Sequence, residues 1–177
     1  MSKNFRKFDG TVIEDVPKYV LDCINKIDNE SVHILVGCDS QPKYRSMASF
    51  TTVIGIVNCG KGTHLIFRRE HKIPFLFTKS NSQAAGMADR LWKEVEKSIE
   101  VGQMLRDGGV LDHPKVKRFV IHVDINSDEK WDSNILVSSA LGYINSLGFD
   151  CEAKPNSPAA TYAADHVVRG KEDRDKK

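Results

Sequence analysis

The sequence predicts an α/β domain built on a mixed five-stranded sheet with helices on its faces, and two observations lead to this prediction. In the first half of the chain, two β-rich runs are joined by the short turn Cys59-Gly60-Lys61-Gly62, which is typical of an antiparallel hairpin. In the second half, apolar runs that suit strands alternate with runs at helical spacing, as in strands that return to one sheet through helical crossovers. After an N-terminal helix, the predicted element order is β-β-β-α-β-α-β-α.

The N-terminal part is predicted as an arm followed by a helix. Residues 1–14 are expected to form a loosely attached arm. Asp15 is an N-cap candidate and Pro17 lies in the first turn, and both are signals of a helix start. Apolar residues then recur at helical spacing as far as Ile27, so this helix is predicted to end there with one buried face.

Three strands of a meander are expected next, at residues 32–38, 47–58 and 63–73. The first strand is almost continuously apolar, which suits a central strand that is covered on both faces. A polar, basic loop containing Lys43 and Arg45 joins it to the second strand, which is rich in Thr, Val and Ile.

The second half of the chain is predicted to alternate between helices and strands. A helix of about 25 residues begins at Ser80 or Ser82 and is terminated by the glycines after Asp107. The remaining elements are, in order, a strand at 118–124, a helix at 134–147, a strand at 149–153 and a helix at 159–169. The charged residues 171–177 are expected to form a solvated tail, so the domain is predicted to span residues 15–170.

Size and composition indicate one globular domain. The chain has 177 residues, of which 40% are apolar and 28% are charged, and these are ordinary values for a soluble protein. No apolar run approaches the length of about 20 residues that a membrane span needs. The basic N-terminus leads into no apolar stretch and is not a secretory signal, so a cytoplasmic location is expected.

The net charge and the cysteine content exclude few further classes of protein. The formal charge of +2 is too small to indicate a nucleic-acid partner by itself. The four cysteines are scattered without a C-x-x-C pair, which favours small buried thiols over a disulfide framework or a zinc site.

Two aspartates follow apolar strands at equivalent places. Asp39 lies at the carboxyl end of the first predicted strand, and Asp124 lies at that of the fourth. If these strands are adjacent and parallel, both side chains meet at one sheet edge, where α/β sheets usually place ligands. Two such carboxylates repel each other unless a cation neutralises them, and hard cations such as Mg²⁺ prefer oxygen ligands. The alternative for Asp39 is a turn-forming aspartate after a buried strand.

Two further acids are candidates for the same site. Asp165 lies beside small residues in the predicted last helix, which lets it approach the sheet closely; a solvent-facing position is the alternative. On the long helix, Glu94 borders the row of apolar residues that is predicted to face the core. Glu96 and Glu100 lie four residues apart and suit an exposed face. Glu94 is therefore the candidate from this helix.

The order of these elements, with acids after the first strand, after the fourth strand and in the last helix, resembles the ribonuclease H-like fold. More narrowly, three local strings are similar to the YkuK-like branch of bacterial and phage proteins. They are Gly37-Cys38-Asp39-Ser40-Gln41, His122-Val123-Asp124-Ile125-Asn126, and Lys154-Pro155 followed by Ala163-Ala164-Asp165. The resemblance covers about residues 15–170.

The resemblance implies a carboxylate-held two-metal site that hydrolyses nucleic-acid phosphodiester bonds. Asp39 would match the first-strand aspartate that bridges two metals, and Asp124 and Asp165 would match the acids of the fourth strand and the last helix. Glu94 would be the glutamate of the long helix, although it lies further inside that helix than in typical ribonuclease H enzymes. Two Mg²⁺ or Mn²⁺ ions about 4 Å apart would activate a water and stabilise the leaving oxygen.

The expected partner is therefore RNA, DNA or a hybrid of the two. Lys154, Lys43 and Arg45 are candidates for phosphate contacts, with ordinary surface charge as the alternative. Two other functions stay open, namely a non-catalytic nucleic-acid-binding module on the same fold and a small-molecule phosphoesterase that uses the same acids.

Two histidines flank the predicted acids. His122 and His166 are candidate proton shuttles, with a structural histidine as the alternative for each. Because residues two apart share one face of a strand, His122 is expected on the same side as Asp124.

Overall fold

A seven-stranded mixed sheet forms the centre of the computed structural model, which describes residues 4–44, 46–76, 83–126 and 134–154. The strands, in chain order, are β1 (Phe5–Arg6), β2 (Val12–Ile13), β3 (Val32–Tyr44), β4 (Met47–Asn58), β5 (Gly62–Pro74), β6 (Val116–Asn126) and β7 (Asp150–Lys154). The helices are α1 (Val16–Asn25), α2 (Gln83–Asp107) and α3 (Asn134–Ser146). Across the sheet, the strand order is β2-β1-β5-β4-β3-β6-β7.

The predicted α/β class and mixed sheet are confirmed. β3, β4 and β5 form an antiparallel meander. In the turn between β4 and β5, Gly60 and Gly62 have φ angles of 81° and 125°, which residues with side chains rarely adopt. β6 lies beside β3 and parallel to it, and β7 lies beside β6 in the same direction. β3 is therefore flanked on both sides, as a central strand should be.

The predicted number of five strands is wrong, because the sheet has seven. The two extra strands come from the segment that was expected to be a loosely attached arm. β1 pairs with β5 through Arg6 and Phe67, and β2 pairs with β1. Phe5 and Ile13 anchor these strands, since their side chains are only 2% and 5% exposed. Two short strands thus cover an edge of β5 that would otherwise present unpaired backbone groups.

β3 is also longer than the strand predicted at residues 32–38, so Asp39 lies within a strand and not at its end. β6 pairs with β3 only from Val32 to Gly37, whereas β4 continues to pair with β3 as far as Tyr44. Pro42 is compatible with this extension, because proline is tolerated where a strand has a ladder partner on one side only. The polar residues that follow Asp39 had favoured a loop.

The helices begin and end close to the predicted positions. The Asp15 carboxylate accepts a hydrogen bond from the backbone N–H of Lys18 at 3.0 Å, which confirms the predicted N-cap of α1. α2 ends at Asp107 as predicted. Its predicted start at Ser80 or Ser82, the helix at 159–169 and the tail at 171–177 lie outside the described residues.

The sheet has two different faces. On β3, Val32, Ile34 and Val36 belong to the main core, which also contains residues of α1, α2 and α3; this is the helix face. Because successive residues of a strand point to opposite sides, the odd-numbered residues from His33 to Asp39 lie on the opposite face, here called the second face.

Two other expectations concern disulfides and membranes. The four cysteines are free thiols, and Cys38 is buried while the others are partly buried. Among the helices that the structure describes, none combines the length and the apolar character that crossing a bilayer requires.

The contact between α1 and the end of α2 gives a first testable prediction. A Cβ atom on Gly108 would lie 2.2 Å from Cβ of Pro17, so Gly108→Ala is expected to destabilise the fold by about 1 to 3 kcal/mol through overpacking. Gly142, in the middle of α3, has no atom of the described residues within 4 Å of a Cβ atom at its position, so Gly142→Ala is expected to stabilise the fold by about 0.5 to 1 kcal/mol. Urea denaturation of both variants measures the difference, and equal midpoints would contradict the close packing at Gly108.

Candidate functional site

Asp39 and Asp124 lie on neighbouring parallel strands. The β3–β6 register ends with the pair Gly37 and His122, and extending it by two residues on each strand brings Asp39 opposite Asp124. Adjacent strands are about 4.8 Å apart, and residues two apart share a face. Both side chains are half-buried. The two acids therefore lie on neighbouring strands where β3 separates from β6, and the register of β6 with β7 also shifts at this point, between Val123 and Asn126.

Glu94 approaches the same part of β3 from the helix face. The hydroxyl of Ser40 donates a hydrogen bond to Oε1 of Glu94 at 2.5 Å, and a guanidinium nitrogen of Arg90 donates to the carbonyl oxygen of Ser40 at 2.9 Å. Because Ser40 follows Asp39, strand alternation directs the two side chains to opposite faces. Glu94 thus contacts the residue that follows Asp39 on β3.

The expected burial of Glu94 is confirmed. Its side chain is 5% exposed, whereas Glu96 and Glu100 on the same helix are exposed. Glu100 instead forms an ion pair with Arg68 of β5 at 2.9 Å.

The electrostatics of this region favour a neutral Glu94. Burial raises its pKa well above the ordinary value, the hydrogen bond from Ser40 acts in the opposite direction, and the charges of Asp39 and Asp124 raise the pKa further. Asp39 and Asp124 are therefore close enough to Glu94 to influence its ionisation. Glu94 and Asp124 both line a narrow crevice between β3, β6 and α2.

His122 lies two residues before Asp124 on β6 and is opposite Glu152 of β7. Its ring is 5% exposed, and burial lowers its pKa, while the neighbouring Glu152 acts against this effect and Arg118 adds to it. Nε2 of His122 is 3.6 Å from a carboxylate oxygen of Glu152, and Nδ1 has no hydrogen-bond partner in the part of the chain that is described. The neutral ring is therefore the favoured form.

Comparison with protein-family models gives one decisive match. The model described as ribonuclease H-like matches residues 15–169, which is most of the chain. The chain belongs to the ribonuclease H-like family. Comparisons with curated proteins and with solved structures gave no significant match. The expected family is thus confirmed, and nuclease-type chemistry on nucleic acid is the function that this family suggests.

Of the four predicted acids, the three that the structure describes do not form a metal-binding group in this ribonuclease H-like chain. In residues 4–44, 46–76, 83–126 and 134–154, no group of three or more His, Cys, Asp and Glu side chains is arranged so that it could hold a metal ion. Asp39 and Asp124 lie on the neighbouring strands β3 and β6, and Glu94 accepts a hydrogen bond from Ser40. Asp165 lies outside the described residues.

The predicted phosphate contacts are placed only in part. Lys43 is exposed on β3, beyond Asp39. Lys154 is the last residue of β7, opposite Asn126 of β6 in the ladder. Arg45 and His166 lie outside the described residues.

Sequence reasoning missed the part that Ser40 plays. Its hydroxyl connects β3 to the buried carboxyl group of α2, and its side chain is 5% exposed. The alternation rule carried the necessary signal, since a residue next to Asp39 in a continuing strand must point to the helix face. That signal was hidden because the strand was expected to end at this point.

Proposed function

We propose that this ribonuclease H-like protein hydrolyses phosphodiester bonds of nucleic acid, with Asp39 and Asp124 as the central ligands of a divalent-metal site. The observation that supports the proposal is the parallel pairing of β3 and β6, since each strand carries one of these aspartates two residues after the last pair of the ladder, Gly37 and His122. A structural aspartate after a buried strand explains one such residue. It does not explain two that converge from separate parts of the sequence.

Mg²⁺ or Mn²⁺ suits the donor atoms of this pair. Two neighbouring carboxylates disfavour each other's charged form, and hard cations that take oxygen ligands relieve this repulsion. Asp39, Asp124 and Asp165 would hold the ions together with Glu94. When bound, the ions would activate a water molecule and stabilise the leaving oxygen of the phosphodiester.

Glu94 is proposed as the fourth ligand, and its present contacts define what must change when a cation binds. It has to exchange its hydrogen bond with Ser40 for a metal–oxygen contact. The negative charges of Asp39 and Asp124, which now raise the pKa of Glu94, would be neutralised by the same cation, so ion binding favours the ionised form that can act as a ligand.

The experiment that tests this function is a cleavage assay on single-stranded RNA, single-stranded DNA, each duplex and an RNA–DNA hybrid, with Mg²⁺ or Mn²⁺ and with a chelator. Cleavage of at least one substrate is expected with the metal, and it should be lost with the chelator and with Asp124→Asn. Cleavage that persists unchanged in Asp124→Asn would contradict the proposed site.

A non-catalytic nucleic-acid-binding module is the second candidate function. It is favoured by one observation, the lack of a three-residue metal-binding group among the described residues. Binding to one of the same substrates, without cleavage in the presence of Mg²⁺ or Mn²⁺, would show that the protein is a non-catalytic binding module. Hydrolysis of a generic phosphate ester without nucleic-acid affinity would instead decide for a small-molecule phosphoesterase.

We propose that this chain belongs to the YkuK-like branch of the family. The proposal is supported by the strings around Asp39 and Asp124 and by Lys154-Pro155 followed by Asp165. A cytoplasmic location is proposed from the same sequence features that predicted it.

A further inference from the structure

The part of β3 that carries Asp39 is held by fewer neighbouring strands than the part before it. β6 pairs with β3 only as far as Gly37, and the β3–β4 ladder shifts register between Pro42 and Tyr44. Residues 38–41 therefore lie between the end of one ladder and an irregularity in the other. Because a functional side chain has to be held to within about 0.5 Å, this stretch needs another source of rigidity.

Helix α2 makes two hydrogen bonds with this stretch, and both involve Ser40. The hydroxyl of Ser40 donates to Oε1 of Glu94, and Nη1 of Arg90 donates to the carbonyl oxygen of Ser40 at 2.9 Å. Arg90 and Glu94 are four residues apart on α2 and thus on the same side of the helix. Ser40 is therefore bound to the helix through its side chain and through its main chain.

Arg90 differs in its contact from Lys93, the next cation along α2. Lys93 forms an ion pair with Asp89 of the same helix at 2.8 Å, whereas Arg90 reaches across to the backbone of β3. A hydrogen bond from a charged donor is about twice as strong as one between neutral groups. Arg90 is also half-buried, which strengthens the bond because the local dielectric constant is low. Arg90 thus restrains the main chain directly beside Asp39.

The two hydrogen bonds of Ser40 differ in what happens to them when a cation binds. Glu94 gives up its bond with Ser40 if it becomes a metal ligand, as proposed above. The bond from Arg90 goes to a carbonyl oxygen that is not a proposed ligand atom, so it can be kept in both states. Arg90 is therefore the residue of α2 that can hold this part of β3 throughout.

We propose that Arg90 is a positioning residue, which fixes the backbone at Asp39 through the carbonyl oxygen of Ser40 and thereby prepares Asp39 to hold a divalent cation. The consequence for the cation rests on the proposed function. The fixing of the backbone does not.

Amide hydrogen exchange of the metal-free protein, measured by NMR, tests the fixing of the backbone. Arg90→Met keeps a long apolar side chain but has no donor. We expect the protected amides of residues 38–41 to exchange at least about tenfold faster in this variant, because a hydrogen bond from a charged donor is lost. Residues 32–36, which pair with both neighbouring strands, should exchange as in the wild type. Unchanged exchange at residues 38–41 would overturn the inference, even if the wild type cleaves nucleic acid.

Calorimetric titration with Mn²⁺, carried out well below the thermal midpoint of each variant, tests the consequence for the cation. Arg90→Met is expected to bind Mn²⁺ about tenfold more weakly, as after the loss of an outer-shell group. The direction is informative, since loss of a positive charge by itself would strengthen cation binding. Arg90→Lys keeps a charged donor and should recover most of the affinity. A residue that only stabilises the fold would change the thermal midpoint and not this affinity.

Lys93→Met is the matched control. It removes one positive charge from the same helix, but the partner of Lys93 is Asp89 and not the backbone of β3. Exchange at residues 38–41 should equal that of the wild type in this variant, and its affinity for Mn²⁺ should be no lower.

The results separate the inference from the proposed function. Arg90→Met that binds Mn²⁺ as tightly as the wild type, or more tightly, would overturn the inference and leave the proposed function standing. Faster exchange at residues 38–41 in Arg90→Met, in a protein whose wild type binds no Mn²⁺, would support the fixing of the backbone by Arg90 and contradict the proposed metal site.

Discussion

Asp39→Asn is expected to lower the rate of phosphodiester cleavage more than about 100-fold, because even residues in the outer shell of a metal site typically contribute 10- to 100-fold. The amide keeps the shape of the side chain but removes the charge that a bridging ligand needs. The fold should be unaffected, since asparagine occupies nearly the same volume as aspartate. Single-turnover rates with saturating Mn²⁺ measure the effect, and circular dichroism verifies folding.

A double-mutant cycle shows whether Asp39 and Asp124 act as one unit. If both hold the same ions, the double variant Asp39→Asn with Asp124→Asn should be hardly slower than either single variant, because groups that act together are strongly non-additive. Asp150→Asn is the matched control, since Asp150 is an exposed aspartate at the start of β7, and its rate should equal that of the wild type. If the factors by which the two single substitutions lower the cleavage rate multiply in the double variant, Asp39 and Asp124 have independent roles.

Glu94→Gln is expected to stabilise the metal-free protein above about pH 5 by an amount that grows with pH. The folded-state pKa of Glu94 is raised above its ordinary value of 4.5, primarily by burial. The contribution of the wild-type carboxyl group is therefore fully present below the unfolded-state pKa and is lost as pH rises toward the folded-state pKa. Glutamine stays neutral throughout and still accepts the hydrogen bond from Ser40.

Thermal midpoints of both proteins from pH 4.5 to pH 8, in the presence of a chelator, measure this difference. In a domain of this size, 1 kcal/mol corresponds to about 2 to 4 °C. Glu96→Gln is the control, because Glu96 is an exposed glutamate two residues further along α2; its midpoint should follow that of the wild type at every pH. A difference that is the same at pH 4.5 and pH 8 would show that Glu94 is not held neutral by its surroundings.

The sequence predicted those parts of the fold that periodicity and turn residues encode. The hairpin through Gly60 and Gly62, the central strand β3 and the capped start of α1 follow from local signals that need no knowledge of neighbours. The strands that contain Phe5 and Ile13 carry only one buried residue each. Segments this short show no hydrophobic periodicity in the sequence. Their pairing depends on the free edge of β5, a property of the assembled sheet.

The candidate site could also be predicted only in part from the sequence. The shared edge of Asp39 and Asp124 follows from strand order, and the burial of Glu94 follows from its place beside an apolar stripe. The hydrogen bond between Ser40 and Glu94 was not predictable, because it depends on how far β3 continues and hence on which face Ser40 occupies. The contact of Arg90 with the carbonyl oxygen of Ser40 was not visible either, since it depends on the same continuation of β3.

The central claim is that Asp39 is a ligand of a divalent cation. Calorimetric titration of the metal-free protein with Mn²⁺ at neutral pH, repeated with Asp39→Asn, tests it most directly because it requires neither a substrate nor cleavage. We expect the wild type to bind Mn²⁺ and the variant to bind it at least about tenfold more weakly, in line with the losses that follow removal of even outer-shell groups. Equal Mn²⁺ affinity in the two proteins would contradict the claim.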